Sequence, residues 1–516
     1  MNSLNDTCRA AYERYKDGTV ISQSLKYAHW TLPYIMPSMD IHGQRNTLMN
    51  DYQETGSILV NHLANKLAGL LFPAQYPFFK SDISGTLKEV AASAGMSQED
   101  IRKTLATLEM EANKALFLNG GYADIILALK SLIVTGNVLI YRDSAAKTLT
   151  TYTLDKYVTQ RDSRGALLDC VLHERTTFGA LPPLMQNLYL QAKPGAQNAP
   201  EQPLDKYTRI KRVPNADGIL GYSVYYELDT TRVGEPSWYP IKTCPFIAPT
   251  WTLIPGEHYG RSMIGDYAQG FAKLSTLSEQ LLLYTVEAMR CIHLVMPGAQ
   301  SSIDDLAKAE TGAYVPGDPA QMGVHEAGDA NKIQMVTVLI DQTKQALQQA
   351  FMYIAEARDS DRTTATEIQM GAREADYALG GVYSTLASGI QLPMAHLLLA
   401  EVSTEAEIGV LTGELTPDIT VGVAALGRSA DVQNLLQASQ ELAGVAPITQ
   451  VDRRLDIKRI VDVILAGRSI DPETIMHTPE EMQAMAEAEA AEQQAQMEML
   501  QAQQLTDTAE TIGKII

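Results

Sequence analysis

The thirteen residues EARDSDRTTATEI, Glu356 to Ile368, place six charged side chains and three threonines between two helical patterns. An isolated charge is too costly to bury, so this loop faces solvent, a partner or a channel. Thr364 and Glu367 form a capping box that opens the following helix, which leaves Arg358 to Thr363 as the loop proper. From its residues alone the segment reads as a solvated loop in which Arg358 and Arg362 pair locally with Asp359 and Asp361.

Other chemistry is hard to find. There is no GxxxxGK[ST] phosphate cradle, and GEHYGRS (256–262) lacks the lysine and the spacing of one. GxSxG, HExxH and GxGxxG are absent, and no two of the nine histidines stand four apart. The four cysteines, Cys8, Cys170, Cys244 and Cys291, form no CxxC or Cys/His cluster, so they read as reduced thiols and not as zinc ligands. Asp304–Asp305 and Glu480–Glu481 are adjacent in sequence and would point apart on a helix. We expect no catalytic residue, no cofactor and no metal, and therefore no enzyme. NDT at 5–7 matches a glycosylation sequon, but the N-terminus lacks a signal-peptide apolar region.

A formal charge of −20 over 516 residues argues against broad, tight binding to DNA or RNA, because phosphate neutralisation drives that binding. It does not exclude a surface that nucleic acid slides past. The most apolar run, ADIILALKSLIVTGNVLIY, is interrupted by Lys130, Thr135, Gly136 and Asn137, so no membrane span is expected.

The elements that would position the charged loop follow from periodicity. Helical spacing dominates the first 135 residues; SILVNHLANKLAGLLF aligns Ile58, Leu59, Leu63, Leu67, Leu70 and Leu71 on one face before Pro73. From Asn137 to about residue 255 strand signals prevail: NVLIYRD, TLTTYTL, KYVTQRD, LLDCVLHERTTFG, KYTRIKRVP and GYSVYYELDTTRV. A long helix follows from Ile264 to Cys291, its stripe formed by Tyr267, Phe271, Leu274, Leu277, Leu281, Tyr284 and Ala288. Residues 292–335 hold short strand and turn signals. A second long helix runs from about Val336 to Ala357, with Leu339, Ala346, Leu347, Ala350 and Ile354 on its face. The expected geometry is an antiparallel helix pair with a small α/β knot at its tip. One such pair cannot bury both sides of two long helices, whereas repetition around an axis could. A kinked helix through Gly380–Gly381 and Pro393, and the strand LTPDITVG, come next. From Ser469 to Gly513 there are ten acidic residues and no Lys or Arg, which suggests either a solvated tail or one stave of a multi-chain bundle. The fold class is α+β, mainly helical.

Eight segments, in order, carry a resemblance: GSILVNHLANKLAGLLFP (56–73), GNVLIY (136–141), YVTQRD (157–162), FGALP (178–182), YGRS (259–262), TGAYVPGDP (311–319), RTTATEI (362–368) and LGGVYSTLASGIQLPM (379–394). Together they make the chain resemble the portal, or head-to-tail connector, proteins of short-tailed, autographivirus-like phages, over most of residues 10–475.

That resemblance implies a dodecameric ring around a central channel at one capsid vertex of the virion, assembled in the host cytoplasm. It implies a wing (1–263), stem helices (264–291 and 336–357) around a clip (292–335), a tunnel loop (358–366), a return to the wing (367–427), a crown (428–480) and an acidic tail (481–516). Arg358, Asp359, Asp361, Arg362 and Thr363 would then line the DNA channel. Phe271, Leu274, Leu277, Leu281, Leu339, Leu347 and Ile354 would lie between subunits of the stem. The implied partners are further copies of the chain, major capsid protein, scaffolding protein, terminase large subunit, a tail adaptor, internal core proteins and passing double-stranded DNA, with no membrane. Two rival readings are a DNA-processing enzyme with an unrecognised carboxylate site and a scaffold oligomer with no DNA conduit.

Overall fold

The computed structural model describes residues 7–37, 51–74, 77–82, 98–194, 199–288, 291–297, 303–309, 314, 318, 320, 322–326, 330–353, 381–402 and 418–421. The chain divides into two compact units, Met1–Leu426 and Gly427–Ile516, and every described residue lies in the first. The expected crown, the acidic tail and the loop 358–366 lie outside the described residues.

Helices gather the core. The described chain opens with α1 (Cys8–Tyr15) and α2 (Gly18–Trp30), whose first amides are taken by Thr7 and Asp17 side chains. α3 (Thr55–Leu71) buries Leu59, Leu63, Leu67, Leu70 and Leu71 as the heptad-like spacing predicts; Ile58, expected on the same face, is exposed. α4 (Gln98–Phe117) and α5 (Gly121–Thr135) follow. By length and composition Thr107–Thr135 is apolar enough to cross a membrane, contrary to the sequence expectation. It is two helices, broken where Asn119 and Gly120 take positive φ, and α5 buries Ile125, Leu129, Leu132 and Ile133 in the protein core.

Two antiparallel sheets pack on these helices. β2 (Leu139–Asp143) lies between β3 (Thr148–Tyr152) and the short β9 (Phe246–Ile247). β4 (Tyr157–Arg161), β5 (Leu167–Thr177), β6 (Pro203–Pro214), β7 (Leu220–Leu228) and β8 (Thr231–Pro240) form a five-stranded meander in sequence order. Register fixes its two faces: Cys170 pairs with Ile210 and Ile210 with Val224, and all three join the main core. The alternate residues Val171, Tyr207 and Val158 face α1, where Cys8, Ala11 and Tyr12 cover them. The proline-studded β8 is an edge strand, as its prolines require. A helix not expected from sequence, α6 (Pro183–Ala192), starts with proline at its first turn and packs on β8.

Two buried ion pairs tie distant segments together. Arg142 on β2 donates to both oxygens of Glu401, at 3.0 and 2.9 Å, with both side chains almost fully enclosed. Arg209 on β6 does the same to Asp169 on β5, its closest approach being 2.6 Å. Glu401 sits on α12 (Leu392–Val402), reached through α11 (Val382–Leu386) and a π-helical segment, Ala387–Gln391. The expected kink therefore takes the form of Gly381 in the left-handed region, then a π turn just before Pro393. β12 (Asp418–Val421) pairs antiparallel with β1 (Phe79–Asp82), which brings the return strand back to the N-terminal half.

Candidate functional site

The expected helix pair is present. A turn of helix, α7 (Met263–Asp266), is capped by the Ser262 hydroxyl, which accepts from the Gly265 amide at 2.9 Å. The chain breaks at Tyr267 and continues as α8 (Ala268–Ala288). β10 (Cys291–Val295) and β11 (Met322–Glu326) form an antiparallel hairpin from Cys291↔Glu326 to Val295↔Met322, with α9 (Ile303–Lys308) in their connection. α10 (Ala330–Ala350) returns beside α8. It starts six residues earlier than the apolar pattern suggested, because Lys332 and Gln334 are good helix formers that apolar periodicity does not count.

The root of the pair is locked into the core. Phe271 meets Phe351 edge-on at 5.8 Å between ring centres, and Tyr267 lies 5.9 Å from the same ring. Gly270 lets α10 approach closely, since a Cβ there would stand 3.2 Å from the Leu347 side chain. Ser275 donates to Asp51 at 2.7 Å, and Tyr353 packs edge-on against His62 of α3.

Away from the root, among the described residues, the two helices pack chiefly against each other. Leu277, Leu281 and Val336 are partly buried there, and Ile340 and Thr343 are buried. The other sides stay uncovered: Leu282, Leu283 and Val286 on α8 are 51%, 54% and 55% exposed, and Met335, Val338 and Leu339 on α10 are 67%, 48% and 36% exposed.

The sequence-derived stem residues thus divide. Phe271, Leu274 and Leu347 are buried within the single chain, and Leu277 and Leu281 lie at its inner seam. On α10 the inward face is Val336, Ile340, Thr343 and Leu347, not the expected row through Leu339 and Ala346, which are exposed. Val338, Leu339 and Ile340 are consecutive and apolar, so spacing alone does not say which of them faces α8. Ile354 and all five loop residues, Arg358, Asp359, Asp361, Arg362 and Thr363, lie outside the described residues.

The glycine-rich loop rejected as a phosphate cradle has a structural task. Asn137 clasps it, donating to the Gly260 carbonyl at 2.8 Å and accepting from the Gly260 amide at 2.7 Å. Gly136 adopts φ +77°, and a side chain there would collide with the Arg261 backbone. Two of the resembling segments, GNVLIY and YGRS, are therefore in contact. Beside them a cavity of about 980 Å³ opens between the start of α2 and the 256–262 loop, with Arg14, Lys16 and Arg261 offset by Asp17, Glu257 and Asp266. Cys8, Cys170 and Cys244 are free and buried; desolvation pushes the Cys244 thiol up to about 11 and the other two higher still, which leaves them unreactive. Among the described residues no three His, Cys, Asp or Glu side chains are grouped to hold a metal.

Residues 5–476 match the model of a family described as bacteriophage head to tail connecting protein. The chain belongs to that family. It is 38% identical over 501 residues to the portal protein of Pseudomonas phage phiKMV, covering 96% of this chain and 97% of that one. It is 29% identical to the portal protein of Escherichia phage T7, covering 96% and 92%. Among solved structures, the neck of an empty GTA particle covers 75% of this chain and 86% of that one at 14% identity; its TM-score of 0.36 is too low to carry weight. This connector is thus a structural component of the phage virion, at the capsid's portal vertex.

Proposed function

We propose that copies of this chain form a dodecameric ring that conducts double-stranded DNA during packaging and ejection, docks the terminase large subunit, and later anchors the tail adaptor. One observation of the molecule supports the ring above the others. The α8–α10 pair leaves large apolar side chains exposed on its outer sides, and among the described residues nothing covers them. On this reading α8 and α10 are the stem, residues 292–335 the clip, residues 1–263 and 367–427 the wing, and residues 428–480 the crown. The capsid and scaffolding proteins and the internal core proteins meet the head side.

The chain makes and breaks no bond; hydrolysis of ATP belongs to the terminase. The loop Arg358–Thr363 projects into the channel, where each copy adds its charges to a collar. Arg358 and Arg362 touch phosphates in passing. Asp359 and Asp361 keep that contact weak, and an acidic chain avoids the strong counterion-release binding that would stall DNA. Arg362→Ala is expected to lower the DNA retained in filled heads; unchanged retention would count against the collar.

Negative-stain electron microscopy of the purified full chain tests the whole reading. Closed rings with an open centre are expected. Solid particles or filaments would favour a scaffold, and nuclease activity in the purified chain would favour the enzyme.

A further inference from the structure

The two outer flanks of the helix pair differ. Each helix has a seam direction, set by Leu274, Leu277 and Leu281 on α8 and by Val336, Ile340, Thr343 and Leu347 on α10. At about 100° per residue, Leu282–Leu283–Val286 lies roughly 150° from the α8 seam. By the same turn, Met335–Val338–Leu339 lies roughly 120° from the α10 seam, in the opposite rotational sense. Because the helices are antiparallel, opposite senses put the two patches on opposite flanks of one chain.

They also stand at one height. Gly270 lies against Leu347 and Phe271 against Phe351. Counting equal rise from those contacts brings Leu282 and Leu283 within a turn of the level of Met335. Rotation about a ring axis running along the helix pair preserves height, so the patches on neighbouring copies face one another.

Shape agrees. The α10 patch borders a groove of about 360 Å³ lined by Asn331, Gln334, Met335, Val338, Leu339 and Gln342.

We propose that Leu282, Leu283 and Val286 of one copy seat in the Met335–Val338–Leu339 groove of the next. Unlike patches pair heterologously, so the contact propagates around a circle and does not close as a dimer. The proposal rests on the ring reading above and names the faces that make the ring.

The test introduces Leu282→Cys and Met335→Cys together in the full chain and treats assembled particles with a short bismaleimide. Both positions are exposed, and in one chain they lie on opposite flanks, so linkage must run between copies. A denaturing gel should show a ladder extending to the full ring, whereas each single variant stops at the level of the unsubstituted chain. As a second readout, Val286→Glu should raise the concentration needed for assembly several-fold while the stability of the unassembled chain stays unchanged. Rings that assemble but give no ladder, or that form in Val286→Glu at an unchanged concentration, would overturn this seam and leave the ring standing. Absence of rings in the unsubstituted chain would overturn both.

Discussion

Glu401 sits beside Arg142 with almost no exposure, and the two are 259 residues apart in sequence. Removing one member of such a pair strands a buried charge, so Glu401→Ala is expected to destabilise the folded chain by about 3–5 kcal/mol. Chemical denaturation of the wild type and variant measures it; a change below about 1 kcal/mol, the value of a surface pair, would show that the pair is open to water. His396, on the same helix, is held neutral: burial, with Lys242 nearby, depresses it from 6.5 to about 4. Between those values the unfolded chain takes up a proton that the folded chain refuses. Stability from this residue is full above pH 6.5 and is lost as pH falls toward 4. The ring is partly exposed, so the loss is discounted to about 1–2 kcal/mol. Wild type should therefore lose more stability than His396→Gln between pH 7 and pH 4; equal slopes would refute it. Neither partnership could be read from sequence, where Arg142, Glu401 and His396 look like any surface residues. The distance along the chain hides the contact.

At the scale of elements, α8 was legible because its apolar residues recur every three or four positions, with little else apolar between them until Leu282. α10 was legible as a helix but not in its orientation. Val336, Val338, Leu339 and Ile340 crowd its first turns because it has two apolar sides, one for α8 and one left uncovered. The meander was legible from β-branched residues and turns, whereas α6 was not, since PPLMQNLYLQA is short and begins with prolines. The division of the helix surfaces predicts contrasting effects. Phe271→Ala removes a ring packed on Phe351 and should lower the stability of the chain by about 3–5 kcal/mol. Leu283→Ala, at an exposed position, should change chain stability by less than about 0.5 kcal/mol and weaken assembly instead. Urea denaturation of unassembled chain, read beside the assembled fraction, separates the two; equal loss of stability in both variants would show that the exposed face is core.

For the whole molecule, the charge of −20 and the missing catalytic motifs narrowed the field more than any single residue did. What the charged loop does lies beyond what its residues show, because Arg358 to Thr363 gain a channel only if copies stand in a circle. The central claim is therefore about number, and the mass of the particle tests it most directly. Native mass measurement of the purified full chain, across dilution and salt, is expected to find a discrete closed assembly of about twelve 56.4 kDa chains. A single 56.4 kDa species under every condition, with no assembled form, would contradict the account.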